Sequence, residues 1–164
     1  MRALVLSSIL LLSAAAAPVA AARTETPSFE LYEGEWTFAG VAYGKSADGR
    51  MTWEKAPGGW RLDWRIRFTQ SAGGGGFQGT AFYLDKGEGK YVGAWADSNG
   101  DHFPLEASDD GVTVTTHWGG NGPVRGRSVY ELTEDGSLWA RDSLRQADGF
   151  YKPFNEIRFS RQGD

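Results

Sequence analysis

The sequence contains no cysteine in its 164 residues. Disulfide scaffolds, thiolate metal sites, cysteine nucleophiles and lipoprotein anchors all need this residue and are therefore excluded. Positive charge is also scarce, because 17 Lys and Arg stand against 21 Asp and Glu and leave a net charge of −4. A nucleic-acid-binding surface needs a cationic excess, so we expect no nucleic-acid partner.

Histidine is nearly absent as well. His102 and His117 are too few for a three-histidine zinc site. Residues 97–101 have the Asp-x-Asn-x-Asp spacing of a calcium loop, but Gly100 stands at the fourth place, whereas the helical calcium loop has its glycine at the sixth. A hairpin turn explains the same residues. The sequence therefore predicts neither a metal site nor a cofactor.

The N-terminus has the three-part layout of a secretory signal peptide. Arg2 supplies a positive charge, residues 3–12 form a mostly apolar run, and residues 14–22 are a tract of small residues. A helix that spans a bilayer needs roughly 20 apolar residues, so this run is too short for an integral membrane anchor. We expect residues 1–22 to be cleaved, residues 23–164 to form a single domain, and the protein to be periplasmic or secreted.

Glycine is abundant, with 23 residues, and many of them lie in Asp-Gly and Asn-Gly pairs that are typical of hairpin turns. Residues 47–49 belong to this set of predicted turns. Between the turns lie short runs typical of strands, and residues 60–68 alternate strictly between large apolar and charged side chains, which predicts one buried and one solvated face. The predicted strands span about 35–43, 50–55, 60–69, 77–85, 90–97, 102–107, 112–118, 124–133, 137–146 and 150–160.

Ten strands joined only by hairpins leave two long open edges unless the first strand meets the last. We therefore expect an all-β fold, an antiparallel up-and-down barrel of about ten strands, in preference to a sandwich. Eight strands already enclose enough space for a small ligand, so a wider barrel is expected to contain a cavity.

Three segments of the chain resemble known families. Gly34 and Trp36 have the Gly-x-Trp spacing of the first strand of lipocalins, and residues 79–85 and 90–100 are similar to a bacterial lipocalin-like family of unknown function. The resemblance implies a calycin-type barrel with an internal pocket and, for lipocalins proper, a small apolar ligand. It also implies that Trp36 packs at the closed end of the barrel beneath an arginine from late in the chain, either Arg158 or Arg161. The Thr-Asp-Tyr motif that lipocalins often carry is absent.

Strand parity places one carboxylate among apolar neighbours. In the predicted strand 137–146, Asp142 shares a face with Leu138, Ala140 and Leu144. A buried carboxylate is costly unless it is paired or hydrogen-bonded. Asp142 therefore either forms the polar end of a ligand pocket or pairs with an arginine across the rim, in which case the aromatic residues are ordinary core. The predicted pocket residues are Trp64, Ile66, Tyr91, Trp95, Thr116, Ser128, Tyr130 and Asp142.

We predict an exported, monomeric or homodimeric barrel that binds a small hydrophobic or amphipathic molecule in its interior without covalent chemistry. Two other functions stay open. One is an enzyme or isomerase that uses Asp142 and Tyr130 as general acid and base. The other is a domain that binds a macromolecule through its surface, because arginines occupy outward-facing positions of three predicted strands. An open cavity with Asp142 in its wall would favour the first two functions over the third.

Overall fold

The computed structural model describes residues 28–70 and 75–163. These residues form a short helix, α1 (Ser28–Tyr32), and ten strands. The strands are β1 (Gly34–Ala42), β2 (Lys45–Ala56), β3 (Gly59–Phe68), β4 (Gly76–Asp85), β5 (Lys90–Asp97), β6 (His102–Asp109), β7 (Thr113–Trp118), β8 (Gly126–Leu132), β9 (Leu138–Arg145) and β10 (Tyr151–Arg161). The predicted signal peptide lies outside the described residues. Within them, no helix has the length and apolar character needed to cross a membrane.

The ten strands form one closed antiparallel barrel. Each strand pairs with the next strand in the sequence, and β1 completes the ring by pairing with β10, where Trp36 lies opposite Arg161. The predicted all-β, up-and-down barrel is confirmed. Two residue pairs, Trp36 with Arg161 and Thr37 with Ser160, close the ring, so that the first and last strands of the meander do not remain two open edges.

Strand β3 shows how the sequence alternation becomes a barrel wall. Leu62 and Trp64 are buried inside, whereas Arg65 and Arg67 are exposed outside. Arg67 forms an ion pair with Asp48 of the neighbouring strand at 2.5 Å on the outer surface. Such exposed pairs contribute at most about 1 kcal/mol each, so the aromatic and aliphatic interior holds the barrel together.

One predicted turn is wrong. Residues 47–49 lie inside β2, and the chain reverses at Tyr43 and Gly44 instead. Gly49 is needed for packing, because a Cβ there would lie 2.6 Å from the ring of Phe38 on β1 and 2.3 Å from the carbonyl oxygen of Arg65 on β3. The glycine provides space for an aromatic core residue on the adjacent strand.

Helix α1 closes one end of the barrel, which we call the closed end. Phe29 and Tyr32 are fully buried. The Phe29 ring lies 4.5 Å from that of Tyr91, and the Tyr32 hydroxyl donates a hydrogen bond to the carbonyl of Tyr130 at 2.9 Å. Ser28 donates to the carboxylate of Asp109 at 2.6 Å. A helix of five residues is too short to show a helical apolar period, so the sequence pattern does not reveal it.

Arg161 joins this helix to the barrel. Its guanidinium carbon lies 4.3 Å from the centroid of the Trp36 ring and its two terminal nitrogens donate to the carbonyls of Leu31 and Glu33, both at 2.6 Å. Gly34 has a φ of +125°, and a Cβ at this position would lie 2.8 Å from the Arg161 Nη1 atom. The Gly-x-Trp segment therefore provides both the ring and the space that the arginine uses.

Arg158, the alternative partner for Trp36, lies on the outer surface. Its guanidinium carbon is 4.8 Å from the centroid of the Trp139 ring, and it is 3.6 Å from the carboxylate of Asp135. Of the two arginines implied by the resemblance, Arg161 is thus the one that contacts Trp36.

Candidate ligand-binding cavity

A cavity of about 380 Å³ occupies the half of the barrel away from α1. We call that end the open end; β1, β3, β5, β7 and β9 end there, and β2, β4, β6, β8 and β10 begin there. The aromatic residues of the cavity wall are Tyr43, Trp64, Phe68, Phe77, Tyr83, Trp95, Phe103, Trp118, Tyr130 and Phe154. Its volume and apolar wall are those of a site for a small molecule.

Six of the eight predicted pocket residues line this cavity: Trp64, Trp95, Thr116, Ser128, Tyr130 and Asp142. The other two, Ile66 and Tyr91, are buried but are not among the lining residues. Tyr91 packs against Phe29 at the closed end. Strand parity shows which side chains point inward, but it does not show how far along the barrel axis each one lies.

Asp142 is buried in the cavity wall, with 7% of its surface exposed. Its Oδ1 accepts a hydrogen bond from the Ser128 hydroxyl at 2.6 Å, and its Oδ2 accepts one from the Asn155 amide at 2.9 Å. Burial raises the pKa of Asp142, and the hydrogen bonds from Asn155 and Ser128 partly oppose this shift. No arginine in the described part of the chain pairs with Asp142, so the structure contradicts the alternative in which Asp142 forms an ion pair across the rim.

A β-bulge brings Asn155 to Asp142. The register of β9 and β10 shifts between Pro153 and Asn155, which leaves Phe154 as the extra residue. Asn155 consequently points inward, where it is buried, and Phe154 lies at the cavity wall. Bulges commonly redirect a side chain in this way. Asn155 was not among the predicted site residues, and Pro153, which has no N–H for the strand ladder, is the one signal for the bulge in the sequence.

The alternation of buried and exposed side chains along β9 stops at Asp142, which lies opposite the bulge in β10. Asp142 and Ser143 are both buried, and Leu144, which was predicted on the buried face, is 36% exposed. The neighbouring bulge in β10 accounts for the change, because it alters the local twist of the strand pair.

Hydroxyl groups extend the polar wall towards the closed end. The Thr116 hydroxyl donates to that of Tyr83 at 3.3 Å. Burial raises the pKa of Tyr83 to about 12 and raises that of Tyr130 well above its ordinary value, and the negative charge of Asp142 acts in the same direction on both. Both phenols are therefore protonated at neutral pH. In this form Tyr130 can donate a hydrogen bond, and in a proton transfer it would be the acid and not the base.

Two cavity tryptophans lie against glycines of adjacent strands. A Cβ at Gly79 would lie 2.1 Å from the ring of Trp95, and a Cβ at Gly126 would lie 2.1 Å from the ring of Trp118. The Trp118 indole nitrogen donates to the hydroxyl of Ser128 at 3.2 Å. These glycines let the indole rings lie close to the barrel wall, so that the space between them stays open.

The acidic turn at the rim has a structural role. Asp97 accepts hydrogen bonds from the indole nitrogen of Trp95 at 3.0 Å and from the backbone N–H groups of Asn99 and Asp101 at 2.9 and 3.2 Å. The calcium-like spacing thus belongs to a hydrogen-bonded turn. No group of three or more His, Cys, Asp or Glu within residues 28–70 and 75–163 could hold a metal ion.

In comparisons with known proteins, the chain matches no family and no curated protein. The closed barrel of ten antiparallel strands is compatible with a lipocalin-like fold. Membership of a lipocalin-like family stays a prediction, which rests on the Gly-x-Trp segment and the contact that Arg161 makes with it.

Proposed function

We propose that the protein binds a small apolar or amphipathic molecule in the barrel cavity without covalent chemistry. The observation that carries this proposal is the aromatic cavity of about 380 Å³ with a hydrogen-bonded carboxylate, that of Asp142, in its wall. Binding sites for small molecules typically combine a concave apolar wall with a few oriented polar groups.

The uneven packing of the barrel supports a ligand site. At the closed end, Phe29, Trp53 and Trp60 pack in direct ring contact, with centroids 5.3 and 5.8 Å from that of Phe29. At the open end, the rings line a space instead of filling it. Protein interiors contain few voids larger than a water molecule, so a cavity of this size is not an ordinary packing defect.

The sequence of residues 1–22 supports export, and we propose that binding takes place in the periplasm or outside the cell. No chemistry beyond hydrogen bonding and apolar contact is needed for this function. The alternative would use the protonated Tyr130 as the acid and Asp142 as the base, so the apolar wall of the cavity, and not the pKa of Tyr130, favours binding.

Titration with N-phenyl-1-naphthylamine, a fluorophore that is neutral at pH 7, tests the proposal. We expect saturable binding to one site and a higher melting temperature of the complex. Leu105→Trp adds a ring to the cavity wall and should weaken binding, whereas Leu84→Trp makes the same change on the exposed outer surface and should not. The proposal fails if the wild-type protein shows no saturable binding, or if a folded Leu105→Trp variant binds as well as the wild type.

A further inference from the structure

The charged groups of the cavity wall all have the same sign. Asp142 lies in the buried part of the wall, and Asp97 and Asp101 lie at the rim. No Lys, Arg or His of the described chain lines the cavity. We propose that the ligand is an organic cation, in which a protonated amine or quaternary ammonium group is joined to an aromatic or other apolar body. This inference rests on the proposed function of the cavity.

The hydrogen bonds around Asp142 stabilise its charge without neutralising it. Asn155 must present its amide nitrogen to Asp142, because its amide oxygen accepts the backbone N–H of Tyr43 at 3.0 Å. Ser128 receives a hydrogen bond from Trp118, so its own hydrogen is available for Asp142. Both carboxylate oxygens therefore face neutral donors. The ionised form of Asp142 has no counter-ion among the described residues, so a cation in the cavity would be attracted to it and would favour its ionisation.

The aromatic wall favours the same class of ligand. The faces of indole and phenol rings attract cations, and Trp64, Trp95, Trp118 and Tyr43 all contribute to the wall. The rings also provide the apolar contact area for the body of the ligand. An aromatic cavity with a buried carboxylate thus matches a molecule that has an apolar body and one positive charge.

The negative charges of the cavity carboxylates affect the pKa of the Tyr43 hydroxyl. Burial raises the pKa of Tyr43, and the negative charges of Asp142 and Asp97 raise it further. The electrostatic potential that disfavours a tyrosinate at this position also disfavours an anionic ligand and favours a cationic one. A bound cation would in turn favour the ionised form of Asp142.

Two arginines of the barrel form ion pairs on its outer surface, away from the cavity. Arg67 pairs with Asp48, and Arg141 pairs with Glu131, both on the outer face. Ion pairs at the surface are screened by water and salt, so their influence on the cavity is small.

Three probes with one naphthalene body test the inference on the wild-type protein: 2-naphthylmethylammonium, 2-naphthylmethanol and 2-naphthoate. Isothermal titration at pH 7.5 should give a dissociation constant for the cation at least about tenfold lower than for the alcohol, and no measurable binding of the anion. If the alcohol or the anion binds as tightly as the cation, the inference is overturned while the proposed function stands. If none of the three binds, the proposed function is contradicted as well.

An exchange of two side chains tests the role of Asp142. In the double variant Asp142→Asn with Asn155→Asp, the amide at position 142 can accept from Ser128 and donate to the carboxylate at position 155, which can still accept the Tyr43 N–H. The net charge is unchanged, but the carboxylate moves from a lining position to one that does not line the cavity. We expect unchanged affinity for the alcohol and loss of the preference for the cation. Retention of the full preference in this variant would overturn the assignment of Asp142, and the comparison of the three probes does not depend on whether the variant folds.

Discussion

The amide of Asn155 bridges the carboxylate of Asp142 and the backbone N–H of Tyr43, with hydrogen bonds of 2.9 and 3.0 Å. This contact connects β9, the bulge of β10 and the β1–β2 turn at the open end. Tyr43 has a φ of +52°, a conformation that is uncommon for a residue with a side chain. The Asn155 side chain thus fixes both a strained turn and the orientation of the buried carboxylate.

Asp142→Asn alone should destabilise the barrel. Its new amide nitrogen would face either the amide nitrogen of Asn155 or the hydroxyl hydrogen of Ser128, and an unsatisfied buried group costs about 1–3 kcal/mol. Addition of Asn155→Asp should recover most of that loss, because it restores a donor–acceptor pair. Urea denaturation of the wild type and of the single and double variants measures the free energies of unfolding. A double variant no more stable than the single one would show that this hydrogen bond is not formed.

The cost of Asp142→Asn should depend on pH. Because the pKa of Asp142 is raised in the folded protein, the folded state keeps its proton to a higher pH than the unfolded chain, whose aspartate titrates near 3.9. The contribution of this group to stability is therefore complete below about pH 4 and declines as the pH rises through the folded pKa. The difference in unfolding free energy between wild type and variant should be larger at pH 4 than at pH 7. A difference that grows towards neutral pH would contradict the predicted direction of the shift.

Arg161→Met should loosen the closed end. The change removes two hydrogen bonds to backbone carbonyls of the segment that includes α1, together with the contact to Trp36, and should cost about 1–3 kcal/mol. Amide hydrogen exchange should become faster in α1. Arg158→Met is the matched control, since Arg158 lies on the exposed outer surface and should cost less than about 1 kcal/mol. Equal losses in the two variants would argue against a special role for the Arg161 contact.

Gly79→Ala should reduce the space in the cavity. The added methyl group would overlap the ring of Trp95, which must move away from the barrel wall, and overpacking of this kind costs about 1–3 kcal/mol. We expect a lower melting temperature, a changed tryptophan fluorescence spectrum and weaker binding of the naphthyl probes. Gly40→Ala is the control, because a Cβ there has no heavy atom within 4 Å. If both variants bind the probes equally well, the position of Trp95 does not determine access to the site.

The alternation of residue types was sufficient to predict the barrel. It distinguished inside from outside along β3, and the turn residues separated the strands at nearly every connection. It failed at residues 47–49, since a glycine that faces Phe38 across a strand pair has the same sequence signature as a glycine in a turn. Packing across strands decides between these two roles, and a single sequence does not show which side chain lies opposite.

The site was predicted in part for a related reason. The alternation of residues along the strands identified Asp142 and five other residues of the cavity wall. It did not show how far along the barrel axis each side chain lies, so Tyr91 was placed in the pocket although α1 covers it at the closed end. Asn155 was missed because the bulge shifts the parity of β10 by one residue. The local sequence pattern therefore predicts which face of the sheet a side chain lies on. Its position along the barrel axis and the register of its strand depend on pairing between distant segments.

The pairing of β1 with β10 also has a consequence for folding. Within the described residues, nine of the ten strand pairings join neighbours in the sequence and can form as hairpins, whereas β1 and β10 come from opposite ends of the barrel domain. Contacts between distant segments form slowly, because the chain must first lose the entropy of a long loop. We therefore expect the Trp36 and Arg161 pairing to form in the last step of barrel assembly. Until it forms, the newly made protein carries two unpaired strand edges and is most exposed to aggregation.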